Sequence, residues 1–204
     1  NGLDTSGVLF EQMASSGDVL YLTSSQPYNS IYSVTLAEGQ GGTTTGTVTE
    51  IEPSFTAASY YNSGSEVQFS NLNDLVTIGT GIYFSDESNK LIRKIDTSTS
   101  NITTLAGRVE DFADGTGQDA EFKSFDFYSG NLLVSGTDIY VRDSHRIRKV
   151  DSNTGEVSTF QTNADADDMQ QWTTLGTDIY YFNEDSSTYP YAYKIFKLSS
   201  DGSV

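Results

Sequence analysis

The sequence predicts an all-β protein built from four repeated units, and three observations lead to that prediction. First, a Gly-containing turn followed by an apolar residue and Tyr occurs four times, with the tyrosines at Tyr21, Tyr83, Tyr140 and Tyr180. Second, short runs of Val, Ile, Thr, Tyr and Phe alternate with joints rich in Gly, Asn, Asp and Ser, as strands alternate with turns. Third, no stretch has a convincing 3.6-residue apolar period, so we expect almost no helix.

Each unit contains four short β segments in a fixed order. An apolar segment precedes the Gly turn (VLFEQM, DLVTIG, NLLVSG, QWTTLG), and the apolar-Tyr segment follows it. The third segment has apolar ends (IYSV, IRKI, IRKV, IFKL), and three copies carry a fourth (VTEI, ITTL, VSTF). The tyrosines are 62, 57 and 40 residues apart. Four strands in about 40 residues, plus insertions, predict the blades of a β-propeller, in which neighbouring sheets bury each other's faces.

We expect residues 1–204 to form a single β-propeller domain. Its blades are predicted at residues 7–51, 72–106, 131–161 and 171–204, joined by loops or linkers at 52–71, 107–130 and 162–170. The fourth unit lacks most of its outer strand. An unclosed propeller would expose two blade faces and a strand edge. We therefore expect either a larger ring, from a chain that continues past residue 204, or one completed by another subunit.

Residues 79–160 resemble NHL-type propeller repeats. The segment "GTGIYFSDESNKLIRKIDTSTSNITTLAG" is similar to one such repeat, and "GTDIYVRDSHRIRKVDSNTGEVSTF" is similar to the next. Between them, "DGTGQDAEF" resembles the linker that often joins blades in that family. The first unit lacks the Arg-Lys pair of these repeats, and the fourth carries the insertion "NEDSSTYPYAY". Four units could close a small ring, but the resemblance implies a propeller with more than four blades.

Charge and composition exclude several classes of function. The net charge is −17, so a phosphate backbone or an anionic membrane surface would be repelled over most of the protein. The chain has no Cys, which removes disulfides, thiolate nucleophiles and Cys-ligated zinc. No apolar run approaches the roughly 20 residues of a membrane helix. The abundance of Ser, Thr, Gly and Tyr favours an extracellular or cell-surface protein, and the start without Met suggests that an upstream segment was removed or omitted.

Seven of the eleven cations lie in or beside the two stretches "LIRKID" and "RIRKVD". A discrete basic binding site is one interpretation. The other is structural, because Arg and Lys can lay their aliphatic stems over neighbours while their charged ends reach Asp-rich turns. Asp86 and Asp96 flank the first stretch, and Asp143 and Asp151 flank the second. We favour the structural interpretation.

Carboxylates in the predicted linker suggest a Ca²⁺ site. Glu110, Asp111, Asp114 and Asp119 lie in a loop that contains Gly, and hard oxygen ligands of this kind suit Ca²⁺. The alternative is a set of solvated turn residues. The run "NADADD" begins like an EF-hand loop but lacks the Gly and the Glu that such a loop requires, so that interpretation fails.

Other candidates are single residues. His145 is the only histidine, next to Arg146 in a predicted turn, and one histidine cannot supply the metal sites of the peptide-amidating lyase related to NHL propellers. Tyr189, Tyr191 and Trp172 are candidates for protein or carbohydrate contact. Asn101 begins the sequon "NIT" and is a candidate for glycosylation.

The function predicted from these patterns is a non-catalytic extracellular or cell-surface module that binds protein or glycan, or that assembles with other subunits. Propellers carry variable loops on a rigid scaffold, so we expect function in loops 107–124, 163–172 and 183–193. A structural subunit of a surface fibre or layer is one alternative. A propeller enzyme, either a lyase or a hydrolase, is another, although no GxSxG motif is present. Ca²⁺ is the cofactor that the residues suggest.

Overall fold

The structure, a computed structural model, describes residues 8–26, 29–38, 44–51, 54–55, 69, 72–108, 112–125, 130–162, 169, 171–185 and 192–198. Within these ranges the regular structure is β-strand, apart from one short 3-10 turn at Gly117–Asp119. The prediction of an all-β fold made of blade units is confirmed. No helix in the described ranges is long and apolar enough to cross a membrane. The chain divides into two compact units, Asn1–Leu105 and Ala106–Val204.

The first unit contains two sheets, which we call blade 1 and blade 2. Blade 1 is antiparallel in chain order and contains β1 (Leu9–Ser16), β2 (Val19–Gln26), β3 (Ser30–Glu38) and β4 (Thr44–Ile51). Blade 2 contains β5 (Ser54–Phe55), β6 (Leu72–Ile78), β7 (Gly81–Asp86), β8 (Leu91–Asp96) and β9 (Asn101–Ala106). Strands β6 to β9 follow chain order across the sheet, and β5 pairs in parallel with the outer edge of β9.

The second unit contains blade 3 and blade 4. Blade 3 is formed by β10 (Gly115–Thr116), β11 (Leu132–Ser135), β12 (Asp138–Asp143), β13 (Arg146–Asp151) and β14 (Glu156–Gln161). The short β10 pairs with the outer edge of β14 and so ties the linker to this blade. Blade 4 has three described strands, β15 (Gln171–Leu175), β16 (Asp178–Asp185) and β17 (Ala192–Leu198), with β17 at the sheet edge.

The glycine of the repeated turn has a left-handed conformation in every blade. The φ angles of Gly17, Gly79, Gly136 and Gly176 are 57°, 57°, 66° and 65°. A residue without Cβ takes such angles at no steric cost, and this geometry matches the twist of a tight β-hairpin. The repeated turn therefore places the apolar-Tyr pair at the same position in each blade.

Each blade has two distinguishable faces, because successive strand residues point to opposite sides of a sheet. We call the side that carries the repeated tyrosine the tyrosine face. The side that carries the preceding residue is the back face. In the first unit, Tyr21 and Ile31 of the blade 1 tyrosine face pack with Ile82 and Phe84 of the blade 2 back face.

The second unit repeats this arrangement. Tyr140 and Ile147 of the blade 3 tyrosine face form one cluster with Ile179 and Tyr181 of the blade 4 back face. The two units therefore contain the same kind of interface, in which a tyrosine face is covered by the back face of the next blade. This interface buries apolar area in both units, which is the main source of stability for a repeat of this kind.

The third strands show how both apolar ends of "IRKI" and "IRKV" are buried. In blade 2, Ile92 and Ile95 are each fully buried although they point to opposite faces, and the pairing of β7 with β8 continues without a register shift. In blade 3, a register shift lies between Ile147 and Arg148 in the pairing with β14. The spacing of three is accommodated because both faces of these inner strands are covered.

Candidate functional site

The arginine of blade 2 lies inside the protein. Arg93 Nε is 2.6 Å from Asp86 Oδ2, and neither side chain is accessible to solvent. The guanidinium also donates to Thr104 Oγ1 at 3.3 Å, and Asn89 donates to the other oxygen of Asp86 at 2.8 Å. Asp86 ends β7 just before the hairpin turn, as the structural interpretation expects. A cation that is inaccessible to solvent cannot bind an external anion, so this arginine does not form a basic binding site.

The equivalent arginine of blade 3 has more partners. Arg148 Nη1 lies 3.0 Å from Asp143 Oδ2, with both side chains inaccessible, and donates to the Glu121 carbonyl at 3.1 Å. Its Nη2 donates to the Ala113 carbonyl and to Asp114 Oδ1, each at 2.7 Å. Four acceptors around the two Nη atoms compensate the buried charge, while the buried Nε has no hydrogen-bond partner among the described residues.

Asp143 connects the same cluster to the linker. Its Oδ1 accepts hydrogen bonds from the backbone amides of Lys123 and Ser124, at 2.8 and 3.0 Å. Burial raises the pKa of Asp143 above its ordinary value, against the opposing effect of these amides and of the Arg148 guanidinium. The described part of the linker, residues 112–125, is therefore held to blade 3 from both sides of this ion pair.

The lysines of the repeat lie nearer the surface. Lys149 Nζ is 2.7 Å from Asp138, and Lys197 Nζ is 2.8 Å from Asp178, which occupies the same position in blade 4. In blade 2 that position is Gly, and Lys94 instead lies 5.4 Å from the centre of the repeated tyrosine ring. The cations of "IRKI", "IRKV" and "IFKL" thus have partners within their own blades.

Of the four predicted Ca²⁺ ligands, the structure describes two, Asp114 and Asp119. Asp114 accepts from Arg148 and from Thr159 Oγ1. Partial burial raises its pKa, but hydrogen bonds from Thr159 and Arg148 outweigh this and hold the pKa below its ordinary value. Asp119 is exposed at the end of the 3-10 turn, while Glu110 and Asp111 lie outside the described residues. Within the described ranges, no group of three or more His, Asp or Glu side chains is placed to hold a metal ion.

Ca²⁺ binding by this loop stays a prediction, and thermal unfolding tests it. A bound ion would raise Tm over that of a chelated sample, by about 2–4 °C for each kcal/mol of binding linkage. The rise should vanish in Asp119→Asn and persist in Glu156→Gln, which changes an exposed carboxylate on β14. Equal melting curves with Ca²⁺ and with chelator would remove the prediction.

The remaining candidate residues lie in different strands and turns. Trp172 lies in strand β15 and donates from Nε1 to the Gly130 carbonyl at 2.6 Å. Asn101 is the exposed first residue of β9, and His145 is exposed in the turn between β12 and β13. Tyr189 and Tyr191 lie outside the described residues. Within the second unit, His145 and Trp172 belong to different blades.

Among the described residues of the second unit, the tyrosine face of blade 4 is an exposed apolar surface. Strand alternation and pairing place Gln171, Thr173, Leu175, Tyr180, Phe182, Tyr193 and Ile195 on it. Leu175 is 71% exposed, Tyr193 is 63% exposed and Ile195 is 79% exposed. Phe182 and Tyr193 meet edge to face, with ring centres 5.7 Å apart.

This face forms a shallow concavity of about 470 Å³, lined mainly by these strand residues. The equivalent face of blade 3 is covered, and Tyr140 at its centre is buried. Exposed blade faces are expected of an unclosed ring, but the sequence patterns predict binding in loops and do not distinguish Leu175 or Ile195. The alternation in "AYKIFKL" was the available signal, because it places Tyr193 and Ile195 on one side and Phe196 and Leu198 on the other.

No protein-family model and no curated protein sequence matches the chain. Solved structures do match in fold. Apo AztD from Citrobacter koseri matches with a TM-score of 0.51 and 12% identity, over 94% of this chain and 44% of that chain. The chain thus spans less than half of the AztD chain.

Two further structures are similar at lower scores. The glutaminyl cyclase of Myxococcus xanthus matches with a TM-score of 0.46 and 12% identity, over 93% of this chain and 73% of that chain. A chain of a nidogen/laminin complex matches with a TM-score of 0.46 and 12% identity, over 97% and 78% of the two chains. At 12% identity the match to AztD shows the fold alone. The fold of this chain is a β-propeller.

Proposed function

We propose that this chain is a non-catalytic module of an NHL-type β-propeller, located outside the cell or on its surface, which binds a protein through the tyrosine face of blade 4. The observation that carries the proposal is the exposed aromatic and aliphatic surface around Tyr180, Leu175 and Ile195. Surfaces of this kind on soluble proteins mark interaction sites, and Tyr and Phe are enriched at the centres of interfaces.

The chemistry of this face favours a protein partner over a glycan. Its centre is formed by Leu175, Tyr180, Phe182 and Ile195, whereas sugar hydroxyls require several converging hydrogen-bond donors and acceptors. The charged pair on the same side of the sheet, Lys197 with Asp178, is already satisfied internally. An apolar partner surface would bury this pair without separating its two charges.

Photo-crosslinking in the producing cells tests the proposal. A benzoylphenylalanine residue introduced at Ile195 should give a covalent adduct with another polypeptide, whose mass and sequence identify the partner. The matched control carries the same group at Glu156, which is exposed on β14 of blade 3 and should give no such adduct. Equal labelling at both positions, or no adduct at Ile195, would overturn the proposed function.

A further inference from the structure

The open face of blade 4 has a structural precedent inside this chain. In blade 3 the equivalent tyrosine face, centred on Tyr140, is covered by the back face of blade 4, which supplies Ile179 and Tyr181. In blade 1 the tyrosine face, centred on Tyr21, is covered by the back face of blade 2. Two independent interfaces therefore show what covers a tyrosine face in this protein. In both cases it is the back face of another blade.

Blade 1 has such a back face, and part of it is exposed. Cross-strand pairing of Met13 with Leu22, and of Leu22 with Tyr32, puts these three residues in one row on that side. Met13 is 61% exposed, and Leu36, farther along β3 on the same side, is 44% exposed. Tyr32 is itself buried, so the exposed apolar part of this back face is formed by Met13 and Leu36.

We propose that the tyrosine face of blade 4 binds the back face of blade 1 in a second copy of this chain, so that copies associate head to tail. The inference rests on the proposed function, since it names the partner of the same face. The contact joins two different surfaces, with Leu175 and Ile195 on one copy and Met13 and Leu36 on the other. It is therefore heterologous, and each copy keeps one open face after the first contact unless the assembly closes.

The size and charge of the surfaces set the strength of this association. Three strands of five residues cover about 16 by 14 Å, well below the roughly 800 Å² that each partner contributes to a stable complex. Each copy carries a net charge of −17, so approach is opposed by long-range repulsion. We therefore expect a reversible, concentration-dependent association that added salt strengthens, because salt screens the repulsion and leaves the apolar contact intact.

Sedimentation of charge variants tests the head-to-tail geometry. Ile195→Lys blocks the tyrosine face of blade 4, and Met13→Lys blocks the back face of blade 1. Each variant alone should stay monomeric where the unchanged chain associates. An equimolar mixture should restore a species of twice the chain mass, because it contains one intact copy of each face. Glu156→Gln, which raises the net charge by the same single unit at an exposed position outside both faces, should associate like the unchanged chain.

Several results would overturn the inference. The first is a monomeric unchanged chain across the concentration series at high salt. The second is self-association of Met13→Lys, which would mean that blade 4 faces pair with each other. Normal circular dichroism of each variant excludes misfolding, and Leu175→Lys gives an independent block of the blade 4 face. A crosslink from Ile195 to a different protein would reject this inference and keep the proposed function, whereas the absence of any crosslink would reject both.

Discussion

Replacing Arg148 with Met is expected to lower the free energy of unfolding of the second unit by about 3–5 kcal/mol, the cost of breaking a buried ion pair from one side. The substitution leaves Asp143 inaccessible to solvent and without its cation. It also removes the donors to two linker carbonyls and to Asp114. Urea unfolding followed by the fluorescence of Trp172, the single tryptophan, would report the loss.

Blade 4 supplies a natural reference for the double variant. At the positions that correspond to Arg148 and Asp143 it carries Phe196 and Asn183. This blade therefore forms the equivalent strand pairing without an ion pair at these two positions. Arg148→Phe combined with Asp143→Asn removes both charges, and Asn can still accept from the linker amides. We expect the double variant to regain about half of the lost stability, because no uncompensated charge stays buried.

An exposed pair provides the matched control. Lys149→Met breaks the contact with Asp138, in which both partners are partly open to solvent, so we expect a loss below about 1 kcal/mol. A double variant no more stable than Arg148→Met would contradict the ion-pair explanation. It would indicate that the carbonyl acceptors of the linker, and not the buried charge of Asp143, dominate the cost.

The repeat made the buried pairs predictable from sequence. Because two blades can be aligned, Asp86 and Asp143 fall at the same distance from the repeated tyrosine. The sequence predicts both, together with Asp96 and Asp151, as counter-charges for the Arg-Lys pairs, but does not indicate which of the four contact the arginines. The alignment did not show that Arg148 also holds Asp114, which is 34 residues away. A run of carboxylates in a loop has the composition of a Ca²⁺ site, which is why the sequence predicts Asp114 as a ligand, whereas contacts across such a distance depend on tertiary packing.

The functional face could be predicted only in part. Alternation along a strand assigns each residue to one of two faces, and this rule separates Ile195 from Phe196. It does not say which face has a neighbour, because that depends on how whole sheets pack. Residues of equal apolarity, such as Ile179 and Ile195, therefore look alike in the sequence although one is buried and the other is 79% exposed.

Replacing Trp172 with Ala is expected to cost about 3 kcal/mol of unfolding free energy, at the low end of large aromatic truncations because the ring is half-buried. The ring packs against the cluster between blades 3 and 4, and its Nε1 donates to the Gly130 carbonyl at 2.6 Å. Because the substitution removes the single tryptophan, unfolding would be followed by circular dichroism.

Trp172→Phe separates the contribution of aromatic packing from that of the Nε1 hydrogen bond. Phe keeps most of the aromatic packing and lacks the N–H donor, so the expected loss is about 1 kcal/mol, close to the net value of one hydrogen bond. Thr173→Ala, the next residue on the exposed side of β15, should change stability by less than about 0.5 kcal/mol. If Trp172→Ala left stability unchanged while weakening partner capture, the ring would be a binding residue, as the sequence suggested. If the loss of stability is largest for Trp172→Ala, smaller for Trp172→Phe and smallest for Thr173→Ala, Trp172 is a structural residue. It then packs blade 4 against blade 3 and so holds the exposed face of blade 4 in position.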